Sequence, residues 1–509
     1  MKQDFQYLKV GRASDLEGTD RVLYRLLEIF PGTLAWGTII GTVVLSLYAP
    51  ILAAYFIIAF DTYWLLKTIY LSIHLRHNWK RIRHNLSLDW SEMLGKLKHE
   101  HIWHMVILPY FNEDLGVVEQ SIQALLNVKY DKSKMLIVLA GEEKGGEDAR
   151  ITGEYIKQKY GDKFGQFLVT IHPSGTPGEM PGKGSNIAYS AEEARKELLD
   201  RHHIPYRDVV VSAFDIDTVA YRDYFLCLTW HFLTVPDPHK TSFQPVPFYN
   251  NNIWYAPAFS RVAAGSSTFW QMMQQERPEK LATFSSHSVS FQSLYEIGYW
   301  QKNMVSEDSR IFWNLFVAHN GDYRVLPISY PVSMDANLAP STWQTAKNIY
   351  KQHRRWAWGV ENVPYILFNF IKNKNIRLGT KIRASFVQIE GFWSLATNPL
   401  LIFMLGWLPV ILGGGVFNQT VLSYNLPVFT RNMMSVAMLG LVLSSMIFIS
   451  FLPEKPKGAP STSKIFMALQ WVLIPFTITI FGAIPGLDAQ TRLMFGRYMG
   501  FWVTPKHRK

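Results

Sequence analysis

The sequence predicts an α/β domain inserted between α-helical transmembrane segments. Hydrophobic residues make up 48% of the 509 residues and aromatic residues 14%, and they cluster toward the two ends of the chain. Between these clusters, residues 100–335 alternate short apolar, β-branched runs with helical patterns, which is typical of βαβ units and a parallel sheet. A chain of this length also exceeds one ordinary hydrophobic core. We therefore expect a membrane protein with a large polar insert.

The net charge of +11 and the single cysteine narrow the class of protein. We attribute the positive charge to Lys and Arg beside membrane segments, where they face anionic lipid. A nucleic-acid-binding protein is disfavoured, because no basic stripe alternates with aromatic residues. Cys227 has no second cysteine for an intramolecular disulfide, and this fits a reducing compartment.

The N-terminal region predicts an arm followed by a membrane hairpin. Residues 1–32 are charged and end in Phe-Pro-Gly, so we expect a cytoplasmic arm with no cleavable signal peptide. Residues 33–75 are almost wholly apolar, with Pro50 in the middle, and are long enough for two spans. The basic run at 76–83 that follows is expected on the cytoplasmic side.

The predicted α/β domain covers residues 76–340. Its first three strands are expected at 105–109, 135–139 and 167–171, with a helix carrying apolar residues 117–126 after the first. The run 208–217 predicts a central buried strand that ends in Asp215 and Asp217. Ligands of open α/β sheets bind beyond the carboxyl ends of the strands.

Asp215 and Asp217 are the candidate metal ligands. Their i, i+2 spacing places both carboxylates on one face of an extended chain. Two hard oxygen ligands suit Mg²⁺ or Mn²⁺ carrying the phosphates of a nucleotide. The alternative is a solvated turn, since Asp-x-Asp is common.

After residue 340 the composition becomes aromatic and basic, and then apolar. Residues 341–385 predict interfacial amphipathic helices, and residues 386–486 a C-terminal transmembrane region with apolar segments near 386–412, 431–452 and 464–486. Residues 487–509 form a basic tail. Prolines in the C-terminal region can break a segment, so we expect five or six spans in total, with a cytoplasmic tail.

Five short motifs follow one another in the insert, and together they resemble the family 2 membrane glycosyltransferases, which include the cellulose, chitin and hyaluronan synthases. The resemblance covers roughly residues 100–360. It implies a GT-A-type, Rossmann-like catalytic domain. The motifs are Leu-Pro-Tyr-Phe-Asn-Glu at 108–113, Gly-Lys-Gly-Ser-Asn at 182–186, Asp-x-Asp at 215–217, Ser-Glu-Asp at 306–308 and Gln-His-Arg-Arg-Trp at 352–356.

By this resemblance, one group of residues contacts the donor. At 142–143 the chain has Glu-Glu where the family usually has Asp-Asp, which leaves the nucleotide, UDP or GDP, open. Two motifs have simpler interpretations: the asparagine of the first motif as a helix cap, and 182–186 as a flexible surface loop. The implied donor-binding residues are Tyr110, Asn112, Glu113, Glu142, Glu143, Lys183, Asn186 and Asp215.

The resemblance also assigns the catalytic and acceptor residues. Asp308, in the Glu307–Asp308 pair, is the implied base that takes the proton of the acceptor hydroxyl, with helix capping by Ser306 or Asp308 as the alternative. Arg355 stabilises the leaving diphosphate. The implied acceptor-binding residues are Gln352, Trp356, whose ring offers a stacking face, and His287.

The sequence thus predicts a metal-dependent, inverting glycosyltransferase that moves a sugar from a UDP- or GDP-sugar to a growing polysaccharide. Two alternatives are transfer of one sugar to a lipid carrier, and an inactive scaffold subunit for glycan export. The expected partners are the nucleotide-sugar, a glycan or lipid-linked acceptor and membrane lipids, and not nucleic acid. The expected location is the plasma membrane or inner membrane, with the catalytic domain in the cytoplasm.

Overall fold

A computed structural model describes residues 6–460 and 463–505 of the chain. Its centre is one eight-stranded mixed sheet with the strand order β3-β2-β1-β4-β7-β6-β8-β5. The strands are β1 (Trp103–Pro109), β2 (Met135–Glu142), β3 (Gln166–His172), β4 (Val209–Ala213), β5 (Val219–Ala220), β6 (Thr241–Tyr249), β7 (Ser288–Ser290) and β8 (Arg324–Met334).

The first half of the sheet is parallel, as predicted. β1 lies between β2 and β4, and β2 pairs with β3. All four predicted strands are confirmed, the first three to within three residues at either end, whereas β4 ends at Ala213, before the two aspartates. The side chains of β1, β2 and β4 are buried on both faces, which is expected of parallel strands covered by helices on each side, whereas the edge strand β3 is half-buried.

The second half of the sheet departs from a purely parallel arrangement. β7 is antiparallel to both β4 and β6, whereas β6 and β8 run parallel to each other. The register of the β6–β8 pair shifts between Gln244 and Val246, where Pro245 has no N–H to donate. The fold is therefore a mixed α/β sheet.

Two long helices precede the sheet domain, α1 (Gly18–Tyr48) and α2 (Pro50–Ser87). The break between them is at Pro50, as predicted, because proline is favoured in the first turn of a helix. Both helices are longer than the predicted hairpin of 33–75. α1 includes much of the predicted arm, and α2 continues through the basic run at 76–83.

Helices surround the sheet and pack on its two faces. They are α3 (Trp90–Gly95), α4 (Leu115–Asn127), α5 (Gly146–Tyr160), α6 (Lys183–Ala194), α7 (Tyr224–Thr234), α8 (Ala258–Gln275), α9 (Phe291–Glu296) and α10 (Glu307–Ala318). α4 and α7 belong to the core on one face, and α6, α9 and α10 to the core on the other.

The C-terminal part of the chain is helical. Its helices are α11 (Thr342–Ala357), α12 (Asn362–Lys372), α13 (Leu378–Phe403), α14 (Leu408–Leu412), α15 (Gly414–Asn418), α16 (Val421–Ser450), α17 (Lys464–Leu469), α18 (Ile474–Ile478) and α19 (Ile484–Met494). The apolar side chains of α12, among them Val363, Tyr365 and Phe368, are buried within the protein. The sequence had placed this segment on a membrane surface.

Within the described residues, four helical segments are long and apolar enough to cross a membrane. They are Gly18–Tyr48, Pro50–Ser87, Val421–Ser450 and the broken helix Lys464–Met494. Leu378–Phe403 and Leu405–Leu412, which are bent by 50° relative to each other, form a fifth if they count as one span. The predicted apolar segments at both ends of the chain are thus confirmed as helices of this kind.

Candidate active site

A cavity of about 920 Å³ opens at the carboxyl ends of the parallel strands. The sheet contributes the residues that follow β1, β2 and β4, and helices α2, α8, α10, α11 and α13 complete the walls. The predicted site residues on this wall are Tyr110, Glu113, Glu142, Lys183, Asn186, Asp215, Asp217, Glu307, Asp308, Gln352, Arg355 and Trp356.

Asp215 and Asp217 follow β4 but do not share one face of an extended chain, which corrects the geometry that their spacing predicted. The N–H of Thr218 donates to the carbonyl of Asp215 (2.9 Å), so the chain turns at these residues and does not continue as a strand. Asp215 accepts a hydrogen bond from Ser285 (2.7 Å). Asp217 is buried and accepts one from the N–H of Asp335 (3.0 Å). Both residues still line the cavity.

Lys183 joins the two carboxylates of the predicted donor and catalytic motifs. Its Nζ donates to Asp215 Oδ1 at 2.6 Å and to both carboxylate oxygens of Asp308 at 3.0 Å. Burial disfavours the ammonium, but Asp215, Asp308 and Glu307 outweigh it and raise the pKa of Lys183 above its usual value. The segment 182–186 is therefore the start of α6 and a wall of the site, and not a surface loop.

Gly182, just before α6, lies against the C-terminal tail. Its φ of +153° is a backbone conformation that side chains rarely adopt, and a Cβ there would lie 2.6 Å from Cγ of Phe501. Phe501 and Thr504 both line the cavity. Neither was predicted from the sequence, because the tail was interpreted from its basic residues alone. The aromatic pair Phe501–Trp502 is the sequence feature that could have indicated that the tail packs against the protein.

The Glu307–Asp308 pair begins α10 at the floor of the cavity. Ser306 occupies the cap position without a side-chain capping bond, so simple capping does not explain the motif. Among the described residues neither carboxylate oxygen of Glu307 has a hydrogen-bond partner. Burial, followed by the charge of Asp308, raises the pKa of Glu307 to about 8.

A buried arginine of α10, Arg310, holds the start of this helix in place. Arg310 donates to Asn362 (2.6 Å), Gln301 (3.1 Å) and the carbonyl of Glu361 (3.1 Å). The carboxylate of Glu361 accepts from the N–H of Ser306 (2.9 Å), which fixes the start of α10. These contacts tie the Glu307–Asp308 motif to the turn after α11.

His287 does not line the cavity, although the sequence assigned it to the acceptor. It is buried behind Asp308, with its Nδ1 3.7 Å from Asp308 Oδ1. Nδ1 bonds with the carbonyl of Phe284 (2.8 Å), and Nε2 accepts from the indole of Trp300 (3.3 Å). Burial lowers the pKa of His287, so the neutral ring supports the floor of the site.

α11 carries the Gln352–Trp356 motif along another wall. The guanidinium of Arg355 lies 4.9 Å from the centre of the Phe501 ring. Trp356 is 38% exposed and stacks on His353 with ring centres 4.9 Å apart. Arg354 points away and pairs with Asp488 of α19 (2.9 Å). One face of α11 therefore lines the cavity, and the other holds α11 against α19.

The predicted nucleoside contacts divide into two groups. Glu142 lines the cavity with one oxygen bonded to His172 (3.2 Å), whereas Glu143 is exposed and accepts from the N–H of Ser174 (2.7 Å). Tyr110 lines the cavity, with its hydroxyl donating to the carbonyl of Ala149 (2.6 Å). Asn112 is exposed and outside the cavity wall.

Asn186 lies on the wall, but its side chain serves the fold. Its amide donates to the carbonyl of Ala140 (2.8 Å), and its carbonyl accepts from Ser190 (3.3 Å). It holds α6 against the end of β2. The cavity as a whole combines the lysine clamped by carboxylates, an arginine and an aromatic face, which together can bind a diphosphate and a sugar.

Comparisons with known proteins bear on this site. The family described as glycosyl transferase family group 2 matches residues 210–484. Among solved structures, the mannosyltransferase PcManGT from Pyrobaculum calidifontis, in complex with GDP-mannose and Mn²⁺, is similar with a TM-score of 0.42 and 12% identity. That likeness covers 76% of this chain and 99% of that one.

A second similar structure is residues 1–349 of TarS from S. aureus in complex with UDP-GlcNAc. It has a TM-score of 0.29 and 10% identity, and the likeness covers 66% of this chain and 90% of that one. With TM-scores below 0.5, neither likeness supports an inference about the substrate. No curated protein matches the chain.

The family match spans more than half of the chain and includes the Asp215, Asp308 and Arg355 motifs. The chain is therefore a glycosyltransferase, and it belongs to glycosyl transferase family group 2.

Proposed function

We propose that this enzyme transfers a sugar from a nucleotide-sugar to an acceptor hydroxyl with inversion at the anomeric carbon. The observation that carries the proposal is the clamp in which Lys183 joins Asp215 to Asp308. It puts a diphosphate-neutralising cation and a candidate base within hydrogen-bond reach of each other. Arg355, on the same cavity, supplies a second positive charge.

In the proposed step Asp308 accepts the proton of the acceptor hydroxyl. The acceptor oxygen forms a bond to the anomeric carbon while the bond from that carbon to the phosphate oxygen breaks. The nucleoside diphosphate leaves with the electron pair, and Lys183 and Arg355 neutralise its charge. Attack from the face opposite the leaving group inverts the anomeric centre.

Asp215 and Asp217 are the residues that would hold a divalent cation. Their carboxylates are hard oxygen donors on one cavity wall, which suits Mg²⁺ or Mn²⁺. When bound, such an ion neutralises the diphosphate as a Lewis acid. The two residues lie in a turn and accept hydrogen bonds from different partners, Ser285 and the N–H of Asp335, so the fit rests on donor chemistry and a shared cavity.

The resemblance to cellulose, chitin and hyaluronan synthases supports a growing polysaccharide as the acceptor, with its terminal sugar on the face of Trp356. A second candidate, transfer of one sugar to a lipid carrier, is favoured by a group of cations at the far end of the cavity. We further propose that the sheet domain lies in the cytoplasm, where nucleotide-sugars are made available to it, and that residues 76–83 face the inner leaflet.

The test is transfer by the purified full-length chain, reconstituted in membranes with Mn²⁺, from a panel of radiolabelled UDP- and GDP-sugars. We expect one donor to yield labelled product and an Asp308→Asn control to yield none. Equal label from wild type and Asp308→Asn would contradict the proposed base. No turnover of any donor would contradict the proposed donor class.

A further inference from the structure

The cavity has a second charged region, distinct from the Lys183 clamp, which we call the distal cation group: Lys67, Arg277 and Lys280. All three residues line the cavity. Lys67 belongs to α2, and the other two follow the end of α8. The charges that act on Lys280 are those of Arg277, Glu390, Glu279 and Lys67, and none of these belongs to the clamp.

The local backbone places Arg277 and Lys280 in one turn. The N–H of Arg277 donates to the carbonyl of Gln274 (3.0 Å), and the N–H of Lys280 donates to the carbonyl of Arg277 (2.8 Å). Two like charges are thereby held next to each other, which is unfavourable without a counter-charge. Burial lowers the pKa of both residues, and for Lys280 the neighbouring Arg277 lowers it further.

Two carboxylates, Glu390 and Glu279, act on the charges of Arg277 and Lys280, but neither forms an ion pair with them. Glu390 bonds with Lys67, and Glu279 is exposed. Among the described residues, Arg277 and Lys280 have no carboxylate within 4.0 Å. Arg277 is only 6% exposed, and its buried Nε has no partner within the same part of the chain. A buried guanidinium without a carboxylate is costly, so this group is built for an anion that enters the cavity.

The depth of the group along α2 indicates where this anion comes from. Lys67 lies 17 residues after Pro50, the first residue of α2, and therefore about 26 Å along the helix from that end. The hydrocarbon core of a bilayer is about 30 Å thick. If α2 crosses a membrane from Pro50 onward, the distal cation group lies near the edge of the hydrocarbon core on the side of the sheet domain, where long cationic side chains can reach the lipid phosphates.

At this end the cavity is also lined by apolar side chains that are partly exposed. Trp270 of α8 and Leu395 of α13 both line the cavity and are 40% and 37% exposed. On α2, the neighbouring apolar side chains Leu66, Ile69 and Ile73 are exposed. An apolar chain can therefore lie outside against these residues while its charged end reaches inside.

A polar path connects this opening with the rest of the cavity. Ser266, Ser267, Gln271 and Gln274 follow one another on the cavity face of α8 at helical spacing. From Ser266 to Gln274 this face is about 12 Å long. Oγ of Ser266 and Oε1 of Gln271 are buried, and among the described residues they have no partner. These two oxygens suit the hydroxyls of a short sugar chain, whereas Oε1 of Gln274 accepts a hydrogen bond from Arg277 (2.5 Å) and so joins the path to the distal cation group.

We propose that the distal cation group binds the phosphate of a lipid-linked acceptor, whose sugar lies along α8 toward Asp308. This inference rests on the proposed function and names the acceptor class. A fixed phosphate site suits an acceptor of fixed length, so it favours addition of one sugar to a lipid-linked acceptor over continuous elongation.

Binding of decaprenyl phosphate to the purified full-length chain, measured by native mass spectrometry, tests the inference. The comparison ligands are decaprenol, phosphatidylglycerol, inorganic phosphate and an acidic oligosaccharide. We expect decaprenyl phosphate to bind at least tenfold more tightly than each of them. Arg277→Gln and Lys280→Gln should each weaken its binding about tenfold to a hundredfold, because each removes a charge-assisted contact.

The matched control is Arg83→Gln, which removes an exposed cation of α2 outside the cavity wall and should leave binding unchanged. Arg277→Lys retains the charge and should retain most of the binding, which separates loss of the site from misfolding. Nucleotide binding at the Lys183 clamp should be unaffected in all four variants.

Equal binding of decaprenol, or binding that does not depend on Arg277 and Lys280, would overturn the inference while leaving the proposed donor chemistry intact. So would tighter binding of phosphatidylglycerol or inorganic phosphate, which would indicate a general anion site. Tighter binding of the acidic oligosaccharide would indicate that the distal cation group binds an acidic glycan and not a lipid phosphate. Conversely, failure of every donor to react would contradict the proposed function without affecting a measured lipid-phosphate affinity.

Discussion

Lys183 is the residue on which the electrostatics of the site depends. It is 8% exposed and has carboxylates of two different motifs within 3.0 Å. Its ammonium holds Asp215 and Asp308 together, and without it two half-buried carboxylates would repel each other. In the proposed reaction the same cation contacts the diphosphate of the donor and the carboxylate of Asp308, so donor binding is coupled to the position of the candidate base.

Replacement of Asp308 by Asn is expected to remove transfer while leaving donor binding within a few-fold of wild type. The amide is nearly isosteric with the carboxylate but cannot accept the proton at neutral pH, so the loss in rate should be about 10²–10⁴-fold. Arg355→Ala should instead weaken both binding and turnover, because its contact with the diphosphate exists before and during bond cleavage. Titration calorimetry with the donor nucleotide, beside a transfer assay, separates these effects.

Loss of donor binding in Asp308→Asn would contradict its role as the base. If Asp308→Asn loses donor binding as strongly as Arg355→Ala, while transfer per bound donor stays normal, then Asp308 is a structural partner of Lys183. The proton acceptor would then be another group on the cavity wall.

The raised pKa of Glu307 predicts that the stability of the folded chain depends on pH. Its pKa in the folded chain is raised to about 8 from a usual value of 4.5, so the folded state binds this proton more tightly than the unfolded state. The resulting stability is fully present below pH 4.5 and is lost as the pH rises toward 8. Thermal unfolding of wild type should therefore occur at progressively lower temperature over this range, and Glu307→Gln should flatten the dependence.

The control for this measurement is Glu143→Gln. Glu143 is exposed, and its hydrogen bonds with Ser174 lower its pKa, so any contribution it makes is lost on acidification and not between about pH 5 and 8. A Glu307→Gln variant whose unfolding follows the wild-type pH curve would show that Glu307 does not carry the buried proton.

At the scale of elements, the sequence predicted those strands that carry continuous β-branched runs. Val209, Val210 and Val211 are of this kind, and β4 is buried on both faces. It did not predict β6, because Pro245 and Pro247 argue against a central strand. β6 is nevertheless central, with β7 on one side and β8 on the other. The bulge at Pro245 and the pairing with distant segments could not be derived from local pattern.

The motifs predicted which residues surround the site but not how they are oriented. Asp215 lines the cavity as expected, whereas the turn after it directs Asp217 toward Asp335. His287 was assigned by its position in the chain and is instead buried behind Asp308. Contacts between residues far apart in sequence, such as Gly182 with Phe501, have no local signal at all.

This contact gives an element-scale prediction for the loop before α6 and the C-terminal tail. In Gly182→Ala the new Cβ would lie 2.6 Å from Cγ of Phe501, so we expect the tail to leave the cavity and become sensitive to protease. Strain and displacement together should lower stability by about 1–3 kcal/mol. Limited proteolysis followed by mass spectrometry of the C-terminal fragments measures the release.

Gly178→Ala is the matched control for that experiment. Gly178 also has a positive φ, +79°, but a Cβ added to it would have no other atom within 4 Å. The substitution therefore introduces backbone strain without the contact. Equal protease sensitivity of the two variants would mean that strain in the loop, and not the Phe501 contact, controls the tail.

At the scale of the whole molecule, α2 relates the apolar helices to the sheet domain. It contains 38 residues and is therefore roughly 57 Å long, which exceeds the thickness of a hydrocarbon core. At its start, Pro50 lies next to Gly413, because a Cβ on Gly413 would be 2.8 Å from Cβ of Pro50. At its other end, Asn85 donates to the carbonyl of Ile328 in β8 (3.2 Å). The turn at Gly413 and the sheet domain are thus at opposite ends of one helix.

This arrangement predicts that the two regions are on opposite sides of the membrane. A cysteine at Lys163, which is exposed in the sheet domain, should not react with a membrane-impermeant maleimide in intact cells, because the basic run at 76–83 favours the cytoplasmic side. A cysteine at Val416, which is 87% exposed, should react. The native Cys227 is buried and serves as the unlabelled background. Both introduced cysteines should react after the cells are permeabilised, which shows that each is accessible in the folded chain. Labelling of Lys163→Cys but not Val416→Cys in intact cells would invert the proposed orientation, and it would remove the sheet domain from the compartment that holds nucleotide-sugars.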